Sequence, residues 1–94
     1  MEGLSELRKK IDGIDRELAG LFEKRMELSE KIGALKAGSD GGIYDREREE
    51  QMMGKFREYM CNEALSPYFM ELMQCIMKLS KQYQETVYGA LKSK

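Results

Sequence analysis

Residues 21–36 read LFEKRMELSEKIGALK, and the arginine in their midst interrupts the pattern that decides the fold. Upstream, apolar residues step by three and four through Leu4, Leu7, Ile11, Ile14, Leu18 and Leu21; downstream the series resumes at Leu28, Ile32 and Leu35. That period belongs to one face of a helix, so a single long helix is predicted from Leu4 to Leu35, with Ser5 able to cap its start. Gly13, Gly20 and Gly33 each cost about 1 kcal/mol against alanine, but the unbroken register outweighs them. Position 25 falls on the same stripe and holds a permanent cation.

Working outward, AGSDGG (37–42) is the clear loop, rich in turn residues. A second helix is predicted from about Arg46 to Met60, with Met52, Met53, Phe56 and Met60 on one side. Asp45 suits its N-cap, and Glu47, Glu49 and Glu50 suit the positive end of its dipole. CNEALSP (61–67) turns the chain, and Ser66 before Pro67 reads as a cap followed by a first-turn proline. A third helix carries Phe69, Leu72, Met73, Ile76, Tyr83 and Val87 along one face. No strand pattern competes, so the fold class is all-α. It consists of a long N-terminal helix, a short middle helix and a long C-terminal helix in one domain, residues 1–94.

Length adds a partner. A first helix of ~32 residues spans about 48 Å, whereas a compact globule of this chain length is roughly 30 Å across. Its apolar stripe overhangs any monomeric core and needs cover. An intertwined helical homodimer supplies it.

Composition narrows the function. Sixteen basic and 17 acidic residues leave a net charge of −1, which offers no footprint for nucleic acid or an anionic membrane surface. No apolar run approaches the ~20 residues of a membrane span, and MEGLSELRKK lacks the apolar segment of a secretory signal. Cys61 and Cys75 show neither metal-ligand spacing nor a disulfide framework, which suits a reduced cytoplasmic protein. The chain has no histidine, so the commonest general base and any Ser-His or Cys-His pair are absent. An enzyme built this way relies on positioning and fixed charge.

Polar groups enter the apolar register on all three helices. Arg25 does so on the first. Ser80 falls in the series Phe69, Met73, Ile76, 80, Tyr83, Val87 on the third, and Gln84 lies one turn beyond it. On the second, stepping back from Phe56 leads to Glu49, with Arg48 beside it. Lys36 stands eleven residues after Arg25, a net rotation of about 20° and a rise of ~16 Å, so both point the same way with room for a small ligand between them. A lone core arginine also serves as a register device, and an Arg25–Glu49 ion pair would do that without a ligand. Against this, Arg25, Lys36 and Arg48 face only Glu49 and Asp45. A buried excess of cations is costly unless an anion completes it, and a small dicarboxylate would fit.

These residues resemble the all-helical class of chorismate mutases. The likeness runs from LRKKIDGIDRELAGLFEKR through IGALK and IYDREREE to MQCIMKLSKQYQ, nearly the whole chain. It implies rearrangement of chorismate to prephenate, a pericyclic Claisen reaction on the way to phenylalanine and tyrosine, with no cofactor, no metal and no covalent intermediate. It further implies that Arg25 binds a substrate carboxylate within its own chain. By the same likeness Lys36 would contact the ether oxygen and a carboxylate, and Gln84 would face the ether oxygen with Ser80 beside it. Asp45, Arg48 and Glu49 match a D-x-x-R-E element whose acidic part would hold the substrate hydroxyl. Arg8 resembles the arginine that reaches into the partner's site. Geometry agrees: Arg8 lies ~26 Å along the helix from Arg25 and about 100° around it, so one helix cannot bring both to a small ligand, while two antiparallel subunits can.

Many family members have proline where Arg46 stands, a departure that changes the stiffness of the second helix's start but removes none of these side chains. Two other readings compete. One is the related lyase that removes pyruvate from isochorismate. The other is a non-catalytic helical dimer or ligand-sensing module, which explains the heptads but leaves the polar set without a purpose.

Overall fold

The computed structural model describes residues 3–37 and 46–89. The apolar period at the N-terminal end forms one uninterrupted helix, α1 (Leu4–Ala37), of 34 residues. At 1.5 Å per residue it is about 51 Å long, most of the molecule's 59 Å long axis. Ser5 does not cap it. The helix starts one residue earlier, and the Leu7 N–H bonds the Gly3 carbonyl at 3.2 Å.

The second helix, α2 (Arg46–Glu58), stops short of Met60. Tyr59 N–H still reaches the Lys55 carbonyl at 3.2 Å, but Met60 N–H bonds the Arg57 carbonyl at 3.3 Å, a tighter closure that ends the helix. The Asn62 side chain then accepts from Ala64 N–H at 3.0 Å and caps a 3-10 turn, Glu63–Leu65. That turn runs straight into α3 (Ser66–Gln84), so Ser66 is already helical and capping passes to Asn62. Pro67 does sit in the first turn, where its missing N–H costs nothing. Beyond Gln84 the chain continues as a π-helical turn, Glu85–Gly89, in which the Thr86 hydroxyl donates to the Gln82 carbonyl at 2.9 Å. The N-cap reading of Asp45 and the loop from residue 38 lie outside the described residues.

Three helices and no strand make up the described chain, as the periodicity predicts. α3 is the hub, touching α1 on one side and α2 on the other. Contacts at 25–80 and 29–84 advance together, so α1 and α3 run parallel. Contacts at 49–81 and 56–69 run oppositely, so α2 is antiparallel to α3. No helix among the described residues is long and apolar enough to cross a membrane.

The apolar core of this single chain is small. Phe56 is the one buried apolar side chain among the described residues, 2% exposed, with the rings of Tyr59 and Phe69 edge-on to it at 6.1 Å. The stripe on α1 stays open, with Leu4 63% and Leu21 61% exposed. Leu72 and Tyr83, expected on the packed face of α3, are also exposed. The radius of gyration of 16.9 Å compares with about 12 Å for a compact chain of this length. The described chain is extended, with much of its apolar surface open.

Candidate active site

Where α1 meets α3, the seam is polar. Arg25 Nη1 donates to Ser80 Oγ at 2.8 Å, and that hydroxyl donates to Met26 Sδ at 3.6 Å. One turn on, Gln84 Nε2 donates to both the carbonyl oxygen and the hydroxyl of Ser29, each at 2.7 Å. Ser29, Ser80 and Gln84 are all buried, which makes these bonds expensive to lose. At the rim, Tyr83 Oη donates to Glu30 Oε2 at 3.3 Å. A backbone carbonyl can only accept, so the Ser29 carbonyl fixes which way the Gln84 amide faces.

Beside the seam opens a cleft of about 490 Å³, in the range that holds small metabolites. Leu28, Ile32 and Met77 give it an apolar wall. Among the described residues, Arg25, Arg48 and Lys81 bring three positive charges to its lining, against the one carboxylate of Glu49. Glu49 Oε1 pairs with Lys81 Nζ at 2.8 Å across α2 and α3. The Arg25–Glu49 pair weighed above therefore gives way to a different partnership: the arginine holds a neutral hydroxyl, and the glutamate holds a lysine. Burial pulls the Arg25 guanidinium below its usual range, because desolvation disfavours its charged form. An incoming anion would reverse that penalty.

The helices thus gather five of the predicted residues, Arg25, Arg48, Glu49, Ser80 and Gln84, around one cleft. Lys36 sits in the last turn of α1 with its side chain outside the described residues, and Asp45 also lies outside them. Arg8 is not in this cleft. It is exposed on the far half of α1, ~26 Å up the axis from Arg25.

Two polar lining residues, Ser29 and Lys81, escape the sequence reading. Ser29 stands four residues after Arg25, hence on the same face, but a small polar residue in a polar-rich segment breaks no apolar register. Lys81 directly follows Ser80, off the apolar register, and enters the cleft by the reach of its long stem. Gln84 differs from its expected role in one respect: both amide N–H groups are already engaged by Ser29. To donate to a ligand it must exchange one of them, and the rotatable Ser29 hydroxyl is the partner that can be released.

The described chain is all-helical, with a small, cation-rich cleft where its three helices meet, and a compact anion is the ligand whose charge would complement that lining. Comparison with known proteins gives the family. The chain matches the chorismate mutase type II family over residues 7–85 and belongs to it. It is 31% identical over 97 residues to the bifunctional chorismate mutase/prephenate dehydratase of Aquifex aeolicus, covering 95% of this chain and 27% of that protein. It is 32% identical over 90 residues to the chorismate mutase of Methanocaldococcus jannaschii, covering 90% of this chain and 91% of that one. A T-protein of Haemophilus influenzae is 47% identical over 53 residues, 56% of this chain and 14% of its own length. The chain thus spans little more than a quarter of the first of these relatives and nearly all of the second. No solved structure matches the chain significantly.

Proposed function

We propose that this domain rearranges chorismate to prephenate, acting as a chorismate mutase in phenylalanine and tyrosine biosynthesis. One observation carries the reading: a desolvated arginine, bonded to a neutral hydroxyl, lines a cleft with three cations and one carboxylate among its described walls. Chorismate is a compact dianion that meets this need. The reaction requires the substrate to be held in a chair-like conformer, a positioning task. Arg25 forks one carboxylate. As the C–O bond breaks ahead of C–C bond formation, negative charge grows on the ether oxygen, where Lys36 and Gln84 are the donors. Ser80 holds Arg25 in place, while Glu49, with Asp45, accepts from the substrate hydroxyl and Arg48 adds positive charge.

The proposal includes a homodimer. The open stripe Leu4, Leu7, Ile11, Ile14, Leu18 and Leu21 supports it, since each such side chain gains about 1.5–3 kcal/mol on burial. A partner running antiparallel along α1 brings its Arg8 to this cleft as the second carboxylate fork. Cys61 and Cys75 are free and exposed, which suits the reducing cytoplasm.

The test is direct. Purified protein should consume chorismate, followed by absorbance, with prephenate as product and no added metal or cofactor. Release of pyruvate from isochorismate in a parallel assay would assign the lyase instead, and no loss of either substrate above the uncatalysed rate would remove both. For the shared site, Arg8→Ala and Arg25→Ala should each be inactive alone, while their mixed dimer regains one intact site. A mixed dimer that demonstrably forms but stays inactive would show that Arg8 does not act in trans.

A further inference from the structure

Lys81 has no part in the activity as proposed so far. It sits on α3 immediately after Ser80, lines the cleft, and places Nζ 2.8 Å from Glu49 Oε1. Both side chains are partly open, at 29% and 26% exposure, and an ion pair of that kind adds little to stability. Phe56 and Phe69 also join the two helices, so the bridge is not their one link. The pair stands in the cleft wall, where its charge is felt by whatever the cleft holds.

We propose that Lys81 is a specificity-determining positioning residue: by holding Glu49, it makes the acidic acceptor of the cleft take a neutral hydroxyl and reject a cationic group in its place. The argument rests on the chorismate reading, in which Glu49 receives the substrate hydroxyl. Lys81 occupies Oε1 and leaves the second carboxylate oxygen to accept from a ligand. A hydroxyl needs only that oxygen and is indifferent to a neighbouring ammonium. An ammonium on the ligand would meet Glu49 already compensated and would stand close to the like charge of Lys81, a juxtaposition that discriminates strongly between otherwise isosteric partners. Without Lys81, the same carboxylate would become an unneutralised acceptor that favours a cation. The other cations of the lining, Arg25 and Arg48, add to the repulsion but do not bond this carboxylate.

The probe pair is chorismate and its analogue bearing an amino group in place of the ring hydroxyl. Binding of each is measured by calorimetry, and kcat/KM for each by substrate loss, in the wild type, Lys81→Met and Lys81→Arg. Wild type should prefer the hydroxyl compound by about tenfold or more, the scale set by a partly screened like charge at close range. Lys81→Met should erase most of that preference, chiefly through tighter binding and a lower KM for the amino compound, and Lys81→Arg should keep it. A merely structural bridge would weaken both compounds alike, so a Lys81→Met protein with an unchanged ratio overturns the proposal. If Lys81→Met does not fold, Lys81→Gln carries the same comparison. Binding of neither compound by wild type would remove the chorismate reading and this inference together, whereas binding of both, with a ratio indifferent to position 81, removes this inference alone.

Discussion

Residues 4–21 and 25–35 of α1 lie on one helix and keep one three-four period, yet they meet different surroundings. The C-terminal part lies against α3 and turns Arg25 and Ser29 into the seam, where they bond Ser80 and Gln84. The N-terminal part turns six aliphatic side chains to open space; Leu28, Ile32 and Leu35 of the C-terminal part are exposed as well, so what sets the halves apart is the polar seam and not the openness of the stripe. A sequence period therefore says which face of a helix is used and nothing about whether its own chain or another supplies the contact. The polar interruption marks where the chain packs on itself beside the cleft, and the uninterrupted stretch is the face that the proposed dimer would cover.

The largest effect should come from breaking the uninterrupted half. Ile11→Glu together with Ile14→Glu puts two unpaired charges on the stripe, at several kcal/mol each if buried. Loss of the dimer by sedimentation is expected, with helix content and activity falling together. A variant that stays dimeric and active would show that this face is not covered.

Arg25→Met tests the other half and should separate function from stability. Activity should fall by about 10³-fold, the scale of losing a fixed charge donor, while the melting temperature holds or rises. The sign follows from Arg25's lowered range. The folded state disfavours its charge, so stability recovers as pH rises through that lowered range. Below that range the penalty is constant, and an apolar replacement removes it. A marked fall in melting temperature would mean that the Ser80 bond outweighs desolvation.

Gln84→Glu should act through pH. The introduced carboxyl faces the Ser29 carbonyl, which needs a donor, so only its protonated form fits. Its pKa is then raised in the folded state, and stability and activity should persist in acid and decline as pH rises through it. Melting temperature against pH, compared with wild type, reads this out; parallel curves would contradict it. The smallest effect belongs to Ser29→Ala, which removes one hydroxyl while the carbonyl still holds the amide. It should cost about 0.5–1.5 kcal/mol and lower the melting temperature by several degrees.

The helices were legible because period and turn residues act locally, and Arg25, Ser80 and Gln84 were legible because they interrupt a register. The departures have local causes too. Ser66 looked like a cap, but Asn62 had already begun a 3-10 turn that delivers the chain into α3 without a break. Ser29 was hidden because serine tolerates either face of a helix, and only the amide of Gln84 makes it structural. Lys81 was hidden because its position off the stripe says nothing of where a four-carbon stem can carry an ammonium. Its partner Glu49 is 32 positions away in sequence, a distance no local pattern spans.

The continuity of α1 makes it a measuring rod. Positions 8 and 25 are held at a fixed span and a fixed angle by the helix alone, with no loop between them to take up slack. One residue inserted there would swing the two ends apart by 100°. Seven would restore the angle to within about 20° and yet overshoot by ~10 Å. In the proposed dimer such a seven-residue lengthening would preserve assembly and still leave each cleft short of the other chain's arginine. If the proposed dimer holds, the number of residues between those positions is fixed by the geometry of the site, whatever stands on the outer faces of the helix.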